Sequence, residues 1–147
     1  MCCFRIEGRV PLGEDMFDRF VGIPYLDKGR DPATGVDCWG LVALVMRELR
    51  GIDLPSYAEQ YVTAADRAAM ARLIAGRLDA WSMIAEGQEQ PFDGVLMREG
   101  RFPRHIGIVT SPGRLLHVSK GMTSRIERYR SGSLANRVVG FYRYGNA

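Results

Sequence analysis

"RHIGIVTSPGRLLHVSK", residues 104–120, decides how the chain is read. Two short runs rich in β-formers flank a Ser-Pro-Gly turn, the pattern of a hairpin. Strand alternation puts Ile106 and Ile108 on one face, with His105 and Gly107 on the other. In the second run Leu116 and Val118 share a face, and Leu115 and His117 take the opposite one. Pairing Ile106/Ile108 with Leu116/Val118 brings both histidines out on the same side. That register requires an odd connection, three or five residues, because a plain two-residue loop separates the histidines.

Three more strand-like runs surround this hairpin: "FDGVLM" (92–97), "SRIERYR" (124–130) and "RVVGFYRY" (137–144). The upstream half has a helical period instead. In "GEDMFDRFVGI" (13–23), Met16, Phe17, Phe20 and Val21 are spaced for a helix that Gly22 ends. "GVDCWGLVALVMREL" (35–49) reads as a helix starting at Cys38, capped by Asp37 and closed by Gly51. Cys38, Leu41, Val42, Val45 and Leu49 form its apolar stripe. A third helix is expected over 64–81, capped near Thr63 and Asp66, with Met70, Leu73, Ile74, Leu78 and Trp81 on one face. Helices first and an antiparallel sheet second predict one α+β domain over residues 1–147, core about 14–144, with helices on one sheet face. The polar, turn-rich segment 86–104 is expected to include a loop over the site.

Cys38 has two readings. Cysteine often packs as a small hydrophobe. At a helix N-terminus, however, unpaired N–H groups and the helix dipole favour the thiolate, which predicts alkylation faster than that of an unactivated thiol. The co-facial histidines favour catalysis: one imidazole to contact the sulfur, and a second to hold the first in its working tautomer. His105 is the expected base and His117 the expected orienter, an order that the pattern does not fix. Three zinc ligands, Cys38, His105 and His117, are the rival, but no close ligand pair anchors such a site.

The 147 residues, 46% hydrophobic and 25% charged with a net charge of +3, suit one soluble domain. No run reaches the ~20 apolar residues of a membrane span, and the N-terminus does not read as a secretory signal. Cys2 and Cys3 are adjacent and suggest a terminus, not a disulfide framework. The Arg-rich tract 124–146 mixes basic and aromatic residues, as some nucleic-acid binders do, but its Arg residues also fit outward strand positions. The latter reading, with no nucleic-acid partner, is adopted.

"GIPYLDKGRDPATGVDCWGLVALVMREL" (22–49) together with "RHIGIVTSPGRLLHVSKG" (104–121) resembles the NlpC/P60 cysteine peptidases, especially the subgroup of tailed phages and prophages described as cell-wall peptidases or tail assembly proteins. The likeness runs from about Met16 to Tyr144. It includes a loop Tyr, Asp-Cys at a helix start, Gly two residues after the Cys, His-x-Gly-Ile-Val, and a second His about a dozen residues on. The resemblance implies a papain-like fold, Cys38 as nucleophile, His105 as general base and acid, and His117 as orienter. It also implies that Tyr25 and the Cys38 N–H stabilise the oxyanion. Asp37 and Trp39 are expected to contact substrate, and no metal or cofactor is expected. Trp39 stands where many wall-recycling members have Ser. "PFDG" (91–94) departs from the family's Pro-Gly-Asp in what reads as a shifted order.

By that resemblance the substrate is the peptide stem of peptidoglycan, and the chemistry is acyl transfer through a thioester. Tail-tip proteins are the expected partners. The chain is expected to be made in host cytoplasm and to act at the wall from a virion tail. The alternatives are a tail-tip structural subunit with incidental or lost catalysis, or the same triad performing other acyl chemistry.

Overall fold

Asp37 starts the one long helix of the described chain. Its extended backbone turns the carboxylate onto the Gly40 N–H, and helix α1 runs from Cys38 to Arg50. Gly51 closes it at a left-handed φ of 65°, its N–H returning to the Arg47 carbonyl. These bounds are those that the capping residues predict. The computed structural model describes residues 14–56 and 80–145. Most of the expected third helix, with Thr63, Asp66, Met70, Leu73, Ile74 and Leu78, lies outside the described residues, as do Cys2 and Cys3.

The element before α1 is a 3-10 helix, Glu14–Phe20, where an α-helix is expected. Phe17 and Phe20 are buried as the spacing requires, but Val21 is exposed, because the chain turns at Gly22 before it can pack. Two short antiparallel strands follow, β1 (Arg30–Asp31) and β2 (Gly35–Val36).

The remainder forms a six-stranded antiparallel sheet. Its strands are β3 (Trp81–Ile84), β4 (Gly94–Glu99), β5 (Phe102–Ser111), β6 (Arg114–His117), β7 (Arg125–Arg128) and β8 (Val138–Tyr144). The spatial order is β3-β8-β4-β5-β6-β7. The five runs read as strands, two of them in the quoted hairpin, account for β4 through β8. Strand β3 is an addition, and it corrects the place of Trp81. That residue opens a strand paired with Tyr144 and does not continue a helix. Within segment 86–104, residues 94–104 are β4 and its turn into β5, while 86–93 form a turn-rich connection outside the strands.

Helix α1 packs on one face of the sheet, where Leu41, Val42 and Val45 meet Ile106, Ile108 and Leu116 in a core shared with Phe17 and Phe20. The opposite face has a smaller core. Val95, Met97, Val109, Leu115 and Phe141 are covered there by Tyr129 and by Leu134 of the 3-10 turn Gly132–Arg137. Burial on both faces explains why β5 reads as a nearly continuous apolar run. Three Arg residues of the basic tract are engaged in ion pairs: Arg130 with Glu89, Arg137 with Glu99, and Arg143 with Asp93. Among the described residues no helix is long and apolar enough to cross a membrane.

Candidate active site

The hairpin that joins β5 and β6 settles the histidine faces. Its turn has two residues, Pro112 and Gly113, with Ser111 opposite Arg114. Gly113 takes φ +94°, the conformation for which glycine is suited in a Pro-Gly turn. A plain two-residue turn would send His117 to the wrong face. A bulge between Val109 and Ser111 inserts Thr110 on β5 alone, restoring Val109 opposite Leu115 and Ile108 opposite Leu116. Five residues therefore separate the last regular pair, and the parity is the expected one even though the turn is shorter.

Both rings emerge on the same face and touch. His105 Nε2 lies 2.8 Å from His117 Nδ1, with ring centroids 5.1 Å apart at 70°. Gly107 permits this approach. A Cβ there would lie 2.9 Å from the Leu116 carbonyl oxygen and 3.1 Å from His117 Cβ, so the Gly of His-x-Gly is a spacer between strands. The outer nitrogen of His117, Nε2, is 2.8 Å from Glu127 Oε2 on β7.

His105 thus keeps Nδ1 for a pocket of about 180 Å³ lined by Tyr25, Cys38, Glu99, Arg104, His105 and the Val118–Lys120 segment where β6 ends. Glu99 Oε2 lies 3.5 Å from that Nδ1 and pairs also with Arg104 and Arg137. Cys38 is the one free cysteine among the described residues, and its sulfur accepts from the Ile106 backbone N–H. The sulfur therefore stands level with the β5 backbone, beside the strand that carries His105.

Electrostatics corrects the expected thiolate. Burial, followed by the neighbouring Asp37 carboxylate, pushes the Cys38 thiol up to about 12, against the smaller opposing effects of Ile106 N–H and Arg104. Burial also holds His105 well below its ordinary value, helped by His117, Arg137 and Arg104. His117 is lowered by burial, partly opposed by its bond to Glu127. These shifts favour a neutral thiol beside neutral imidazoles. The arrangement supports general-base activation, in which His105 takes the proton as the sulfur attacks.

The two expected substrate contacts have other work. Asp37 is fully buried, its carboxylate accepting from Gly40 N–H, Lys28 N–H and Arg30 Nη1. Trp39 packs in the α1 core, its indole N–H donating to the Pro55 carbonyl. Neither is among the residues that line the pocket. Tyr25 does line it, but its hydroxyl donates to Asp27, a bond it must release before it can donate to an oxyanion. The zinc arrangement is not found either. The two histidines turn nitrogens toward each other, and no metal-holding cluster of His, Cys, Asp or Glu occurs among the described residues.

Pro91-Phe92-Asp93 forms the turn that leads into β4. Phe92 has φ +79°, the left-handed backbone that the Gly of Pro-Gly-Asp would adopt without strain. Its ring packs 5.2 Å from Phe17, with the Arg50 guanidinium over it.

The sequence pattern of the NlpC/P60 family matches residues 22–143. The chain belongs to the NlpC/P60 family. It is 26% identical over 137 residues to the gamma-DL-glutamyl hydrolase of Bacillus subtilis, covering 93% of this chain but 30% of that protein. Solved structures agree on the NlpC/P60 fold. A lipoprotein-like NLP/P60 protein of Staphylococcus aureus superposes with a TM-score of 0.65 at 21% identity, over 97% of this chain and 44% of that one. The NlpC/p60 domain of the peptidoglycan hydrolase SagA gives 0.61 at 18% identity, over 87% and 92% of the two chains. The expected α+β fold is therefore the observed one.

Glu99, Arg104, Lys120 and Glu127 escape the sequence reading. Arg104 adjoins His105 in the motif itself. Glu127 follows from the alternation that finds the histidines, carried one strand further: Leu115 pairs with Glu127, and His117 with Arg125.

Proposed function

We propose that this NlpC/P60 protein is a cysteine peptidase that hydrolyses peptide bonds in the stems of peptidoglycan. The observation that carries this reading is the 2.8 Å contact between His105 and His117 beside a pocket that Cys38 and His105 share. His105 Nδ1 accepts the thiol proton as sulfur bonds to the scissile carbonyl carbon. The same imidazolium then protonates the departing amine, leaving a thioester. Water, deprotonated by His105, adds to the thioester, and the acid leaves as the thiol is restored. The Cys38 N–H, first in the helix, and a released Tyr25 hydroxyl are the oxyanion donors. Lys120 at the pocket favours a peptide bearing a carboxylate, Arg104 being paired with Glu99, and the hydrolase activities of the B. subtilis and SagA relatives support the substrate class. Purified muropeptides are incubated with wild type and Cys38→Ala, and new amino termini are sought by mass spectrometry. Cleavage by the wild type alone is expected; none by either overturns the reading.

We further propose that it acts from a phage or prophage tail, reaching the wall with other tail proteins after synthesis in host cytoplasm. Trp39 next to Cys38, in the manner of that subgroup, supports this. Absence of the chain from purified tails would overturn it. Absent turnover combined with defective tails on gene deletion would favour a structural subunit instead.

A further inference from the structure

The two carboxylates at the ends of the histidine pair stand in different relations to it. Glu99 faces the nitrogen that must receive a proton, at 3.5 Å, while Glu127 holds the far nitrogen of His117 at 2.8 Å. An ionised carboxylate only accepts hydrogen bonds, so His117 carries its hydrogen on Nε2. A neutral imidazole has one N–H, which leaves His117 Nδ1 bare. The 2.8 Å contact then requires His105 Nε2 to be the donor, and His105 Nδ1 is left bare on the pocket side. Reversing the pair would put hydrogen on His105 Nδ1, where it blocks acceptance from the thiol. The contact between the two rings does not by itself select either direction.

We propose that Glu127 is a positioning residue that selects the direction of hydrogen bonding through His117 and His105, making the catalytic chain Cys38–His105–His117–Glu127. The proposal rests on the peptidase reading for its catalytic consequence, but not for the tautomers themselves. Glu127 lies on the edge strand β7 with its side chain one-third exposed, so its substitution leaves the core intact. Arg125 and Arg137 also bear on His117, and Glu99, Arg104 and Arg137 on His105. None of these provides a bond to His117 Nε2 like that of Glu127.

The test combines ¹⁵N-histidine NMR at pH 7.5 with muropeptide kinetics. Wild type is expected to show hydrogen on Nε2 of both rings. Glu127→Gln retains an accepting oxygen, and is expected to keep those tautomers and most of kcat. Glu127→Lys only donates, and is expected to move the His105 hydrogen to Nδ1, lowering kcat by roughly 10³–10⁴-fold with KM little changed, the scale of a wrong-tautomer triad. Thermal melts establish that each variant is folded. Hydrogen on His105 Nδ1 in wild type, or a Lys variant with unchanged tautomers, overturns the proposal. Tautomers as assigned in a wild type that cleaves nothing overturn the peptidase reading and leave the positioning role standing.

Discussion

Burial of Cys38 favours its thiol over its thiolate. Iodoacetamide at pH 7.5 is therefore expected to modify it more slowly than free cysteine, with the rate rising up to a pH near 12. Mass spectrometry of the Cys38 peptide checks this, and a rate above that of free cysteine would contradict the neutral thiol. Gly107 belongs at the same scale. Gly107→Ala drives a methyl group into the Leu116 carbonyl and the His117 Cβ, separating β6 from β5. A loss of ~2–3 kcal/mol in urea unfolding is expected, on the scale of an overpacked core, together with loss of the His105–His117 bond.

At the scale of elements, α1 depends on a single buried carboxylate. Asp37→Ala removes the cap of Gly40 and the partner of the Arg30 guanidinium, 2.8 Å away. Loss of the cap and of this ion pair together is expected to cost about 2 kcal/mol, seen as a lower urea midpoint. Activity should fall with it, since Cys38 is the next residue. How legible each element was follows from its physics. Helix α1 could be read residue by residue because cap, stripe and closing Gly are all local signals. The strands β4–β8 could be read because turns punctuate them. Strand β3 could not, because Trp81 continues a helical spacing and only pairing with β8 makes it a strand. The burial of Asp37 and Trp39 was not legible for a related reason: adjacency to Cys38 in sequence says nothing about which side of the helix start faces the pocket. Glu99 was invisible because a turn, not a motif, brings it to His105.

Across the whole molecule, the buried titratable groups set a pH window for stability. His105 and His117 both titrate below the ordinary 6.5, so the unfolded chain binds protons there more readily than the folded one. Their contribution is complete above about 6.5 and is lost as pH falls through the folded values. Cys38 acts at the other end. Raised from 9.0 to about 12, it contributes fully below 9, and stability falls as pH climbs toward 12. Urea midpoints from pH 4 to 11 are expected to form a plateau between these limits. His105→Asn should flatten the acid side and Cys38→Ala the alkaline side; an unchanged slope in both would contradict the burial described.

Thr110 lines no part of the Cys38 pocket, yet it decides whether the two imidazoles can face each other at all. Excising that one residue would leave a sound hairpin whose second imidazole points into the greasy layer under α1. The connection therefore obeys an arithmetic constraint: changes of two keep the rings on one side, and a change of one parts them unless another bulge absorbs it.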